Sequence, residues 1–214
     1  MLDHIKAVIF DLDGTLVESM SMWKDIDVEY LEKFNLPVPE NLQQDIEGLN
    51  MYQTAVYFKE TFNIPDCLED IMAAWNEMAF EKYTCEIPLK PGVRPFLEAL
   101  KKKHIPCGIA TTNSRFLTEA ILTSHQIHSF FSVIVTGDEI TKGKPDPEIY
   151  LKAAEKMNVS PEECLVFEDI PYGIMAGKQA GMRVCAVEDV YSVKDREEKL
   201  RLADFYIDNY EELL

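Results

Sequence analysis

AVIFDLDGT, residues 7–15, joins a continuous apolar run to two aspartates and a glycine. A run without alternation, such as Ala7–Phe10, is typical of a strand buried on both faces of a parallel sheet. Gly14 permits a tight turn, so one short loop can present both carboxylates. Because ligands bind beyond the carboxyl ends of such strands, Asp11 and Asp13 are the first candidate site residues. An isolated Asp-x-Asp is more often a solvated turn, so the rest of the chain must decide between the two interpretations.

Further apolar runs of the same kind follow along the chain, and helical periodicity alternates with them. One helix is predicted by apolar residues spaced three and four apart between Val93 and Leu100, and Asp146-Pro147 opens another. Strands alternating with helices predict an α/β class protein with a doubly wound parallel sheet, a Rossmann-like core. The predicted strands are Ala7–Phe10, 106–110, 133–136, 165–167, 184–186 and Phe205–Ile207.

The segment between the first strand and the second is helical by periodicity throughout. Its length, about seventy residues, exceeds what a strand-to-strand connection requires. Pro88 and Pro91 mark the return of the chain to the core. We therefore predict an α-helical cap domain over residues 16–87, inserted into a core domain formed by residues 1–15 and 88–214.

A second pair of acids, Glu168 and Asp169, ends the predicted strand at residues 165–167. If this strand neighbours the first, up to four carboxylates meet at one site. Such a cluster cannot stay ionised without a cation, and hard oxygen ligands favour Mg²⁺ over zinc. The structural alternative is that Asp169 only caps the next helix, whose small residues predict a close approach to the sheet.

Hydroxyl and amide groups follow another predicted strand. Thr111, Thr112 and Asn113 lie between this strand and a helix, and a strand end beside a helix N-terminus is a natural phosphate site. Ordinary N-capping by Asn113 or Ser114 is the alternative, and it is compatible with phosphate binding by Thr111.

One lysine, Lys144, lies in the proline-rich loop GKPDP, residues 143–147. Alone, a lysine in such a loop is usually a solvated charge. Opposite a carboxylate cluster it would neutralise a nucleophilic aspartate and an incoming phosphate group.

Composition narrows the possible partners. Asp and Glu total 38 against 21 Lys and Arg, a net charge of −17, which disfavours binding to nucleic acid and to anionic membranes. Five scattered cysteines without CxxC spacing favour reduced thiols over disulfides or zinc. We expect a cytoplasmic protein that acts on a small-molecule phosphate ester; nothing in the pattern indicates an oligomeric state.

Taken in order, these segments resemble the motifs of the haloacid dehalogenase superfamily, and the resemblance covers the whole chain. The helical segment is similar to the cap of the branch that contains β-phosphoglucomutase and phosphoglycolate phosphatase. The stretch FEDIPYGI, residues 167–174, is similar to that branch in particular. The residues that match the family motifs are Asp11, Asp13, Thr111, Lys144, Glu168 and Asp169.

The resemblance implies a Mg²⁺-dependent phosphatase. Asp11 would attack phosphorus and form an aspartyl-phosphate, and Asp13 would protonate the leaving oxygen and later deprotonate water. The metal would be held by Asp11, the backbone carbonyl of Asp13 and Asp169, with Glu168 as a direct or an outer ligand. The transferring phosphate would be bound by Thr111, Thr112, Asn113 and Lys144.

The cap departs from β-phosphoglucomutase where that enzyme binds the distal part of its sugar phosphate. Trp23 stands in place of a histidine, and Glu47 and Met51 stand in place of cations. Arg115 could compensate from the core side, or could equally be a surface helix residue. The leading prediction is therefore hydrolysis of a small phosphomonoester, with a sugar phosphate as one candidate substrate; a phosphosugar mutase is the alternative. A non-catalytic binding protein is a third possibility, which loss of a motif residue would favour, and none is lost.

Overall fold

The computed structural model describes residues 1–214, in which all six predicted strands pair into one parallel sheet. They are β1 (Ala7–Phe10), β2 (Cys107–Ala110), β3 (Phe131–Val135), β4 (Cys164–Glu168), β5 (Arg183–Val187) and β6 (Phe205–Ile207). Their order in the sheet is β3-β2-β1-β4-β5-β6. The strand β1 is therefore central, with β2 on one side and β4 on the other.

Helices cover both faces of the sheet, as the doubly wound fold predicts. Val8 and Phe10 pack into one hydrophobic cluster, whereas Ala7 and Ile9 pack into a second cluster on the opposite face. The helices are α1 (Met20–Glu32), α2 (Leu42–Ile46), α3 (Met51–Phe62), α4 (Leu68–Cys85), α5 (Val93–Lys102), α6 (Arg115–Ser124), α7 (Glu148–Met157), α8 (Pro171–Gln179) and α9 (Arg196–Leu202).

The end of β1 is anchored by aromatic packing. Phe10 is fully buried and stacks on Phe167 of β4, with ring centroids 5.0 Å apart. Burying a side chain of this size contributes about 1.5–3 kcal/mol to stability. The residue that follows Phe10 is Asp11, so this packing fixes the origin of the loop that carries the candidate site.

Between β1 and α5 the chain forms the four helices α1–α4 and no strand. This segment, residues 16–87, is called the insert below; its limits as a separate domain remain a prediction. Tyr30, Phe58 and Trp75 form an aromatic cluster inside it, with ring centroids 5.0–6.3 Å apart. The insert contacts the core through α4 and α6, where Phe80 stacks on Phe116 at 5.1 Å.

The five cysteines are all free thiols, as their spacing predicts. Among the helices, none combines the length and the apolar character needed to cross a bilayer.

Candidate active site

The carboxyl ends of β1 and β4 bring the two predicted acid pairs together. Phe10 pairs in register with Phe167, so the residues after them emerge side by side. Asp11, Glu168 and Asp169 are all buried, and each offers an oxygen that lies within 4.8 Å of the others. Lys144 faces this cluster: its Nζ lies 2.6 Å from Asp11 Oδ1 and also contacts Glu168 Oε1.

The turn after β1 requires a glycine. Gly14 has a φ of +76°, and a Cβ at this position would lie 2.2 Å from Asp169 Oδ2. Its neighbour Thr15 donates a hydrogen bond from Oγ1 to Asp169 Oδ1 at 3.0 Å. The turn thus closes against Asp169 and holds one oxygen of that carboxylate.

Both oxygens of Glu168 are engaged by the protein. Oε1 accepts from Lys144 and, at 2.5 Å, from the Tyr150 hydroxyl, while Oε2 accepts from the Asp169 backbone N–H at 3.0 Å. A Cβ on Gly173 of α8 would collide with this carboxylate, which confirms the predicted close approach of that helix. The arrangement favours Glu168 as the group that orients Lys144.

The cluster holds more negative charge than its lysine neutralises. Burial raises the pKa of Asp11 to about 8, although the Lys144 ammonium opposes this rise. Burial and the neighbouring Glu168 raise the pKa of Asp169 well above its usual range. Burial disfavours the Lys144 ammonium, but the carboxylates of Asp11 and Glu168 outweigh this and raise its pKa.

The same residues fit a hard divalent cation. Asp11 Oδ2 and Asp169 Oδ2 accept no hydrogen bond from the protein, so each has an oxygen available for a ligand. An all-oxygen donor set with excess negative charge suits Mg²⁺.

Asp13 belongs to a separate network. Its Oδ1 accepts hydrogen bonds from Ser19 at 2.5 Å, Trp23 Nε1 at 2.9 Å and the Tyr83 hydroxyl at 2.6 Å. Its Oδ2 accepts from Asn113 Nδ2 at 2.9 Å. All four donors are uncharged, and the Asp13 carboxylate is not part of the cluster around Lys144. Two aspartates that are two residues apart therefore have different environments.

The predicted phosphate residues lie at the end of β2. Thr111 is buried and, with Thr112 and Asn113, lines the same cavity as Asp11. The N-cap of α6 is Ser114, whose side chain accepts from the Leu117 N–H at 3.3 Å. Asn113 is not the cap; its amide is used to hold Asp13.

A cavity of about 590 Å³ separates these residues from the insert. Three of the four predicted substrate-contacting residues, Trp23, Glu47 and Met51, line it. Arg115 does not, because its guanidinium binds Glu139 at 2.5 Å and Glu119 at 3.1 Å outside the cavity. These contacts favour the alternative interpretation of Arg115, a surface helix residue, over a role in substrate binding.

Several site residues escaped the sequence interpretation. Tyr83 lies 70 positions from Asp13, and only the fold brings the two together. Tyr150 belongs to the helix face that the sequence pattern assigns to the core, and its side chain is indeed fully buried. The pattern gives no sign that its hydroxyl contacts Glu168. Ser19 is the one residue with a local signal, since it follows Asp13 by six positions in the same loop.

Known proteins are similar to this chain in sequence and in fold. The model of the haloacid dehalogenase-like hydrolase family matches residues 8–187. The chain is 33% identical over 189 residues to a phosphorylated carbohydrates phosphatase of Thermotoga maritima, covering 88% of this chain and 85% of that protein.

Two solved structures illustrate the likeness. CbbY from Rhodobacter sphaeroides in complex with phosphate has a TM-score of 0.87 at 27% identity, over 98% of this chain and 96% of that one. A putative beta-phosphoglucomutase from Thermotoga maritima has a TM-score of 0.71 at 31% identity, over 97% and 96%.

Proposed function

The chain belongs to the haloacid dehalogenase-like hydrolases, and on that premise we propose that it is a Mg²⁺-dependent phosphatase of small phosphomonoesters. The proposal includes a covalent aspartyl-phosphate on Asp11 and an acid–base role for Asp13. The substrate class that we propose is a sugar-like phosphate, in keeping with the similarity to the phosphorylated carbohydrates phosphatase of Thermotoga maritima.

One observation carries the proposal: the different surroundings of Asp11 and Asp13. Asp11 lies beside a buried ammonium, 2.6 Å from Lys144 Nζ, whereas Asp13 is held by four uncharged donors. Paired carboxylates in contrasting environments can take the two roles that a phosphatase needs, nucleophile and general acid–base.

The reaction has two steps. In the first, an oxygen of Asp11 bonds to phosphorus, the bond from phosphorus to the leaving oxygen breaks, and Asp13 gives its proton to that oxygen. In the second, Asp13 takes a proton from water, and the water oxygen bonds to phosphorus and displaces the Asp11 carboxylate. Phosphate leaves, and both aspartates regain their starting protonation states.

Charge on the phosphate group would be neutralised by Thr111, at the end of β2, and by Lys144, in the loop before α7. Lys144 and Thr111 line the cavity beside Asp11, where an ammonium and a hydroxyl lower the energy of the transferring group. Mg²⁺, held by Asp11, Asp169 and the backbone carbonyl of Asp13, would supply further neutralisation of the carboxylates and phosphate oxygens. Glu168 would keep Lys144 in place rather than bind the metal.

The test is phosphate release from p-nitrophenyl phosphate in the presence of Mg²⁺. We expect Asp11→Asn to abolish turnover without changing the fold, since the nucleophile is lost and the shape is kept. Asp3→Asn, an exposed aspartate outside the cavity, is the matched control and should retain full activity. Full turnover in excess EDTA would contradict the metal, and undiminished turnover in Asp11→Asn would contradict the nucleophile.

A further inference from the structure

The insert side of the cavity carries polar groups that the proposed reaction does not use. Apart from the exposed Glu40, its two acids are Asp27 and Glu47, which line the cavity together with the aromatic side chains of Trp23 and Trp75. Asp27 is the more enclosed of the two acids, since only 7% of its surface is exposed. A buried carboxyl group on a cavity wall is costly unless its oxygens find donors.

Asp27 has one protein donor. Gln43 Nε2 lies 2.7 Å from Asp27 Oδ2, and Oδ1 accepts no hydrogen bond from the protein. No lysine, arginine or histidine pairs with this carboxylate. Burial raises the pKa of Asp27 to about 6, although the hydrogen bond from Gln43 opposes this rise. Because this pKa is still below 7, the carboxyl group is mostly ionised at neutral pH and acts as a hydrogen-bond acceptor. A ligand hydroxyl would complete its hydrogen bonding.

The position of Asp27 relates it to the reaction centre. Trp23, one helical turn earlier on α1, donates from Nε1 to Asp13 at 2.9 Å. Four residues advance an α-helix by about 6 Å, so Asp27 lies roughly that distance further along α1 than the residue that contacts the general acid. A leaving group that starts at Asp13 and extends along α1 would reach it.

The charges of the cavity disfavour an anionic leaving group. Lys144 is the buried cation, and it is committed to Asp11 and Glu168. The other cations on the lining, Lys24 and Lys194, are exposed to solvent. A carboxylate or second phosphate beside Asp27 would thus be buried against like charge, which is costly.

We propose that Asp27, oriented by Gln43, is a specificity determinant that binds a hydroxyl of an uncharged leaving group, and that the substrates are monophosphates of polyols or sugars rather than phosphates with an anionic leaving group. This inference rests on the proposed phosphatase function. It assigns leaving-group specificity to two residues of the insert, whereas the core motifs bind only the phosphate group.

Six phosphate esters in matched sets of three and six carbons test the inference. Glycerol 3-phosphate and sorbitol 6-phosphate have hydroxyls, propyl and hexyl phosphate lack them, and 3-phosphoglycerate and 6-phosphogluconate add a carboxylate. We expect kcat/KM for the better polyol phosphate to exceed that of its alkyl and carboxylate counterparts by about tenfold or more, the usual scale for a hydrogen bond to a charged group.

Variants then locate the effect. Asp27→Leu should remove the advantage of the polyol phosphate over the alkyl phosphate, with the loss falling on the polyol phosphate. Gln43→Leu, which loses only the orienting donor, should give a smaller loss with the same pattern and serves if Asp27→Leu does not fold. Asp25→Asn, exposed on the same helix, is the control and should keep the wild-type preference.

The outcomes separate this inference from the proposed function. Equal losses on polyol and alkyl phosphates in both variants, or a wild-type preference for the carboxylate esters, would overturn the role of Asp27 while p-nitrophenyl phosphate hydrolysis still supports a phosphatase. An enzyme inert towards p-nitrophenyl phosphate and all six esters would overturn both.

Discussion

The two walls of the cavity differ in how their charged groups are paired: the core wall includes Asp11, Thr111 and Lys144, and the insert wall includes Trp23, Asp27 and Glu47. On the core wall, Lys144 is in buried ion pairs with Asp11 and Glu168. On the insert wall, Asp27 and Glu47 form no ion pair, and Asp27 has a single protein donor. The core wall is therefore organised around one fixed charge pattern, the one that a transferring phosphate requires, whereas the insert wall leaves acceptors for a ligand.

Asp13 connects the two walls. It extends from the core loop, yet two of its four donors, Trp23 and Tyr83, belong to helices of the insert. The group that we propose as general acid is thus positioned partly by the wall that receives the leaving group. The proposed acid–base role of Asp13 and the proposed selection of the leaving group by the insert therefore involve the same carboxylate. The following variants test the two roles separately.

Among these variants, the largest effect is expected for Asp13→Asn. Because Asp13 would serve both of the proposed steps, we expect a loss of about 10²- to 10⁴-fold, the usual range for a general acid–base group. Alkyl phosphates, whose leaving oxygen needs a proton, should lose more than p-nitrophenyl phosphate. Steady-state rates on both esters give the comparison, and equal losses would mean that Asp13 does not protonate the leaving group in a rate-limiting step.

The next effect concerns phosphosugar mutase activity. A mutase must hold a bisphosphate with its second phosphate on the insert wall, where Asp27, Glu47 and Met51 offer no cation. An unpaired buried dianion costs several kcal/mol, so we expect interconversion of β-glucose 1-phosphate and glucose 6-phosphate at least about 10²-fold slower than hydrolysis.

A coupled assay with a bisphosphate primer measures this ratio. Mutase turnover that exceeds hydrolysis would contradict the comparison of the two walls. Lys24→Ala and Lys194→Ala would then show whether an exposed lysine binds the second phosphate.

The acids of the core wall could be predicted from the sequence because they lie at or directly after the ends of strands. Asp11 and Glu168 come after apolar runs, and parallel strands place their carboxyl ends at one edge. The predicted family and the predicted doubly wound sheet are both confirmed, and both predictions came from local sequence patterns of this kind.

The insert wall could not be predicted in the same way. Asp27 follows Trp23 at a helical spacing that surface acids also show, and its burial arises from packing of the insert. Tyr83 reaches Asp13 across 70 residues, and no local pattern reports such a contact. Arg115 is the opposite case. It lies close to the predicted site in sequence, but its guanidinium forms ion pairs with Glu119 and Glu139 at the surface.

A smaller effect is expected for the stability of Asp27→Asn. The pKa of Asp27 is raised from 3.8 to about 6 in the folded protein, so the folded state binds more protons than the unfolded state between these values. The favourable contribution of Asp27 is therefore complete below pH 3.8 and is lost as the pH rises through about 6. Asparagine keeps the shape without the charge, and its advantage should grow over this range to at most about 3 kcal/mol.

Thermal unfolding at pH 5, 6 and 8 measures this change, with Asp25→Asn as the exposed control on the same helix. For a chain of this size, about 1 kcal/mol corresponds to roughly 2–4 °C in Tm. A Tm difference that is independent of pH, or that shrinks as the pH rises, would show that the Asp27 carboxylate is not destabilised by its burial.

The smallest effect is expected for Tyr83→Phe, which removes one of the four donors to Asp13 and keeps the ring. The hydroxyl lies 2.6 Å from Asp13 Oδ1, and Ser19 and Trp23 still bind that oxygen in the variant. We expect kcat to fall about tenfold with little change in KM, the scale of one hydrogen bond to a charged group. The loss should be greater for alkyl phosphates than for p-nitrophenyl phosphate, since a misplaced acid matters most when the leaving oxygen needs its proton. The matched control is Tyr57→Phe, which removes a 2.8 Å bond to Asp45 elsewhere in the insert. If both variants lose activity alike, or if Tyr83→Phe affects both esters equally, the insert does not position the acid and the two walls act independently.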